Sequence, residues 1–156
     1  MQSKSISKLI MITALAISVC GPAFPALADS GIEPCSNRTL KGDYGFTIEG
    51  ILGIPGAQLP PSLGLTIRGL AMAHYDGRGN FTQVDHIVVA FAPPAEDWTP
   101  GTGTYTVNPD CTGTAVIHSG DNPPLALHFV IVKEGKEIRQ VVDENAVTAI
   151  GEKVED

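Results

Sequence analysis

Gln83 and Asp85, two residues apart, carry most of the chemistry that this sequence offers. They lie in Asn80–Phe91, NFTQVDHIVVAF. In an extended run, Phe81, Gln83, Asp85, Ile87, Val89 and Phe91 share one face. The apolar members assign that face to an interior. An amide and a carboxylate on it would fix the polar end of an apolar molecule by hydrogen bonds. Alternatively, with its pKa raised by burial, Asp85 would serve as a general acid or base. A bulge in the run would turn both outward.

The other reactive residue types read as structure. His74, His86, His118 and His128 form no HxH or HExxH pattern, so no metal site is expected. Alternation puts His74 and His86 opposite the core face, where they are expected to meet across the Asp76–Gly79 turn. His118 and His128 flank Asp121–Pro124 and are expected to be neighbours in the same way. There is no GxSxG and no catalytic-cysteine signature, and Gly77–Gly79 is too short for a phosphate loop. No cofactor is expected.

The elements that must position these residues read as strands. Thr102, Thr104 and Thr106 alternate with Gly103, Tyr105 and Val107, and Asn108-Pro109-Asp110 turns the chain into a second run from Cys111 to Ser119. Thr39–Gly50 alternates most cleanly: Leu40, Gly42, Tyr44, Phe46 and Ile48 on one face, Lys41, Asp43, Gly45, Thr47 and Glu49 on the other. Leu63–Tyr75 is apolar on both faces in its second half. That predicts a covering loop or a subunit contact over its outer side at Leu70 and Met72. Leu125–Val132, Glu137–Asp143 and Val147–Val154 complete eight strand candidates. Ile51–Ser62, rich in Pro and Gly yet apolar, reads as a loop that either lids a cavity or plugs one end of the core. Trp98 falls in the loop Ala92–Pro100. Short connections and no helix predict an all-β fold: one antiparallel eight-stranded barrel, with a β-sandwich as the alternative.

The first residues predict export. Lys4 and Lys8 precede the apolar run Leu9–Val19, and Ala26-Leu27-Ala28 is a small-x-small cleavage site. Residues 1–28 therefore read as a secretory signal peptide and 29–156 as the barrel domain. The lipoprotein reading would lipidate Cys20, but Val19 directly before it suits a lipobox poorly. No later apolar run is long enough to span a membrane, so the destination is the periplasm or beyond. The 156-residue chain carries a net charge of −7 at pH 7. Cleavage removes two lysines and no acid, which makes it more acidic still. That balance excludes nucleic acid as a partner. Cleavage also leaves two cysteines, Cys35 and Cys111, which in an exported protein read as one disulfide.

Three stretches carry a family likeness: TLKGDYGFTIEG at Thr39–Gly50, HYDGRGNFTQVD at His74–Asp85 and GTYTVNPDCTGTAVI at Gly103–Ile117. In this order the chain resembles a group of small exported bacterial proteins related to the allene oxide cyclase-like barrels of the calycins. The resemblance implies an eight-stranded barrel with a lumen suited to an apolar ligand. It does not imply cyclase activity, because the enzyme's catalytic positions have no match here.

The expectation is a non-catalytic barrel holding a small apolar ligand. Tyr44, Phe46, Tyr105 and Phe129 would line the lumen, with Gln83 or Asp85 at its polar end. Gly42, Gly69, Ala71, Ala73, Gly103 and Gly113 would leave the room. The alternatives are an isomerase or cyclase using Asp85, and an interaction module or homo-oligomer contacting through Leu70 and Met72.

Overall fold

Eight antiparallel strands close into one barrel in sequence order. They are β1 (Lys41–Leu52), β2 (Leu65–Asp76), β3 (Asn80–Val89), β4 (Thr99–Val107), β5 (Thr112–His118), β6 (Leu125–Val132), β7 (Glu137–Val142) and β8 (Ala146–Lys153). The structure, a computed structural model, describes residues 33–53 and 64–155. The expected signal peptide (residues 1–28), with Cys20, and residues 54–62 of the apolar loop lie outside the described residues.

Closure rules out the sandwich: β1 pairs with β2 on one side and with β8 on the other. Every strand then has two partners, and no edge is left to template association. Gly50 makes the β1–β8 approach feasible. A Cβ there would collide with Ala146 O and stand 2.6 Å from Val147 Cα. Ile51 and Leu52 continue β1 as half-buried residues, so the strand outruns the boundary expected from Pro and Gly content.

The tight turns follow from their side chains. In the β2–β3 hairpin the Asp76 carboxylate accepts hydrogen bonds from Arg78 N at 2.6 Å, Asn80 N at 3.0 Å and Asn80 Nδ2 at 2.9 Å. In the β4–β5 hairpin Cys111 N donates to Asn108 O at 3.0 Å, and Asp110 Oδ1 accepts from the Thr112 amide and hydroxyl. Strand β3 ends at Val89 and not at Phe91. Ala90 and Phe91 take φ of 47° and 71°, which reverses the chain so that Val89 and Ala92 exchange backbone hydrogen bonds. Phe91 consequently leaves the inner face and is exposed.

One end of the barrel is sealed, and it is called the floor here. A single 3-10 turn, Asn37–Thr39, crosses it, and Leu40 behind that turn is fully buried. Asn37 Oδ1 accepts from Val107 N at 2.8 Å. Cys35 is bonded to Cys111, with Cα atoms 5.0 Å apart, and Cys35 N donates to Pro109 O. The expected disulfide thus ties the lead-in segment to the β4–β5 turn. A second 3-10 turn, Lys133–Gly135, connects β6 to β7 at the same end. Beside it the buried Glu137 carboxylate is held by Lys133 and by Arg139 Nε at 2.6 Å.

Candidate functional site

Inner and outer residues alternate without a break on β2 and β3. The register runs continuously from Ile67 opposite Val89 to Tyr75 opposite Phe81, with no bulge. Gln83 therefore shares the inner face with Phe81 and lies between Ala73 on β2 and Gly101 on β4. Asp85 follows, between Ala71 and Thr99. Both side chains are half-buried, and Gln83 Nε2 donates to Asp85 Oδ2 at 3.0 Å. Burial pushes the Asp85 carboxyl pKa up, partly offset by the Gln83 hydrogen bond and by His86. The other Asp85 oxygen has no protein donor but keeps access to water, since no buried side-chain polar atom among the described residues lacks a partner.

The four aromatic residues expected to line a cavity do something different. Tyr44, Phe46, Tyr105 and Phe129 are all buried in one core cluster. Tyr75 stands at the centre of the floor, edge-on to Tyr44 at 5.4 Å and to Tyr105 at 5.1 Å, and stacked on Phe81 at 5.1 Å. Each such pair adds about 0.5–1.5 kcal/mol beyond area burial. Tyr44 Oη donates to Gly135 O at 2.5 Å, and Tyr105 Oη lies 3.0 Å from both Asn37 O and Leu40 O. These bonds fix the phenols to the 3-10 turns. Burial pushes the Tyr44 hydroxyl up to about 12 and also raises Tyr75 and Tyr105.

The inner-face glycines are not open space either. The ring of Phe81 lies where a Gly103 side chain would project, Phe129 does the same over Gly113, Phe46 over Gly151, and the Ile87 side chain over Gly69. Each large residue faces its glycine in the register of the neighbouring strand. This large-on-small pairing packs the lower lumen at Gly103, Gly113 and Gly151, and it returns above Asp85, where Ile87 covers Gly69. Around Gln83 and Asp85 the inner-face neighbours are instead small and short: Ala71, Ala73 and Gly101. The site is therefore the upper lumen, towards the end where β1, β3, β5 and β7 finish.

Sequence patterning also held a residue that was not singled out. Gln140 lies between Ile138 and Val142 on the inner face of β7, opposite Phe129 and Ala149, and is half-buried. Its alternation with two apolar residues, as for Gln83, was the available signal. The histidines lie outside the lumen and do not pair with one another. His74 faces Thr82, and its Nδ1 is 2.7 Å from Asp43 Oδ1 on β1. His86 faces Leu70, with Nδ1 2.6 Å from Asp97 O and its ring edge-on to Trp98 at 6.0 Å. His128 lies across from Thr114 and bonds Asp143 at 2.8 Å, while His118 faces Thr102. The hairpin registers separate these expected pairs.

A pocket of about 270 Å³ is lined by Pro100, Gly101, Thr102, His118 and Gly120. Thr102 and His118 are outward residues of β4 and β5, so it opens on the outside of the barrel. Among the described residues no group of three or more His, Cys, Asp or Glu could hold a metal ion, and no helix is long and apolar enough to cross a membrane. No protein-family model, curated protein or solved structure matches this chain.

Proposed function

We propose that this protein is an exported, non-catalytic barrel that carries a small, mostly apolar molecule in its upper lumen. The observation that supports it is the inward Gln83–Asp85 pair, hydrogen-bonded and half-buried, flanked by Ala71, Ala73 and Gly101. Inward polar groups among small apolar neighbours are the composition of a ligand pocket, in which a few polar atoms fix orientation. Tyr44, Phe46, Tyr105 and Phe129 then act as the packed base on which the ligand's apolar end rests. The likeness to small exported bacterial proteins related to the allene oxide cyclase-like barrels belongs to the same proposal, carried by its three sequence stretches. An isomerase reading would ask for a second ionisable group on Asp85, whose hydrogen-bond partner among the described residues is the Gln83 amide. The test is native mass spectrometry and solvent extraction of the purified protein, with Nile red uptake as a second readout. Cargo or dye binding is expected, and Ala73→Phe, which sets a ring opposite Gln83, should abolish it. A protein that carries nothing and takes up no dye refutes the proposal.

A second reading rests on the outer face. Leu70 and Met72 are 56% and 43% exposed. Register aligns Met72 with Gly45 on β1 and Val84 on β3, and Val84 with Pro100 on β4. A Cβ at Gly45 would meet nothing within 4 Å, so the row presents a shallow apolar step. It is bordered by Arg68–Glu49 and His74–Asp43 pairs. In so acidic a protein, an apolar step beside an acid paired with Arg68 would let a second copy approach. Light scattering should give a mass above the monomer that falls to the monomer in Leu70→Asp. A strictly monomeric parent protein rejects this reading.

A further inference from the structure

The chemistry of Asp85 narrows what the upper lumen would accept, and the inference rests on reading that lumen as a carrier site. Gln83 Nε2 satisfies one Asp85 oxygen. The Gln83 carbonyl and the second carboxylate oxygen are acceptors with no hydrogen-bond partner among the described residues. No Lys, Arg or His lies within ion-pair distance of Asp85 among those residues either. His86, next to Asp85 on β3, faces outward to Asp97 O and offsets the rise in the Asp85 pKa only in part, and Arg68 bonds Glu49 at 2.9 Å on the outer face. Residues 54–63, IPGAQLPPSL, contain no basic residue that could supply one. The site therefore presents acceptors and negative charge, inside a protein whose net charge is also negative.

We propose that the upper lumen selects amphiphiles whose head donates hydrogen bonds and carries no negative charge, an alcohol or an amine on an apolar body. A carboxylate head, as on a fatty acid, would place like charges together in a partly desolvated site, where the repulsion is large. A hydroxyl or ammonium supplies the donor that the pair lacks.

The experiment uses three ligands of one chain length, decan-1-ol, decylamine and decanoate. Each is titrated calorimetrically into the purified protein at pH 7.5, below its micelle concentration, with Nile red uptake measured in parallel. The alcohol and the amine are expected to bind about tenfold or more tighter than decanoate. Asp85→Asn, once shown to be folded by circular dichroism, should close most of that gap by strengthening decanoate. Decanoate binding as tightly as either of the others overturns the head-group inference and leaves the carrier reading standing. Failure of all three to bind, with no Nile red uptake, overturns both. The parent-protein comparison needs no variant and decides the matter if Asp85→Asn does not fold.

Discussion

Gly151→Ala tests whether the lower lumen is packed or hollow. An added Cβ would stand 2.5 Å from Phe46 Cζ and 2.8 Å from Cδ1, with Cε1 nearer still. The three closest atoms are all in that one ring, so the clash is with a side chain and not with backbone. Overpacking of this kind costs about 1–3 kcal/mol. The lost chain entropy of glycine returns about 0.5–1 kcal/mol, since β8 runs in ordinary extended geometry at Gly151. The net expectation is about 1–2 kcal/mol of destabilisation. In a Phe46→Ala background the ring is gone, and the same substitution should become neutral or slightly stabilising. Phe46→Ala alone should cost about 3–5 kcal/mol. The coupling in the double-mutant cycle should then be about 1–3 kcal/mol, within the range for residues in direct contact. Gly45→Ala is the control, because a Cβ there points outward into open space. It should be neutral or stabilising by up to about 1 kcal/mol. Urea denaturation followed by far-ultraviolet circular dichroism measures all of these. Equal costs of Gly151→Ala in both backgrounds would refute the packing of Phe46 on Gly151, and with it the sealed floor.

Three further outcomes are expected. The Cys35–Cys111 bond closes a sequence separation of 76 residues, worth about 4 kcal/mol in the chain-entropy account. Reduction or Cys111→Ser should therefore lower Tm clearly, and thiol titration of the denatured protein without residues 1–28 should find no free thiol. Asp76, held down to about 2 by its hairpin hydrogen bonds, contributes stability that is present above the ordinary carboxylate value and lost as pH falls through about 2. A Tm profile against pH should show that acid loss in the parent protein and not in Asp76→Asn. Asp85 has the opposite sign. Its folded pKa is raised, so its contribution falls as pH rises from the ordinary value of 3.8 through the folded value. Asp85→Asn should be the more stable protein at pH 7, with the difference shrinking below pH 3.8, and parallel profiles would contradict the burial assigned to Asp85.

The legible part of this fold is what a period of two can carry. Alternation placed Tyr44, Phe46, Tyr105, Phe129, Gln83 and Asp85 on inner faces, and all six are there, because a closed barrel separates inside from outside on every strand. The cysteine pair was legible for a simpler reason: with Cys20 in the expected signal peptide, only two candidates remained. What alternation does not carry is register, and register decides which residues touch. Asp76–Gly79 sets Tyr75 against Phe81, so His74 meets Thr82 and His86 meets Leu70. Nearness in a hairpin was a poor substitute for that count.

The same limit governs the glycines. In sequence, Gly103 and Gly113 look like vacancies, and a lumen lined by them looks hollow. In space each is the socket for a ring on the adjacent strand, Phe81 for one and Phe129 for the other. A small residue leaves room only where its cross-strand neighbours are also small. By that rule the floor is packed, the polar pair above it has small neighbours, and large-on-small packing returns beyond it at Ile87 over Gly69. Large inner residues meet glycine below, while Ala71, Ala73 and Gly101 surround the polar pair above. The two halves then bear different loads. Substitutions below should act on stability, through lost aromatic packing and phenol hydrogen bonds. Substitutions at Gln83 and Asp85 change half-buried groups whose remaining acceptors reach water, and so should cost the fold less than those below.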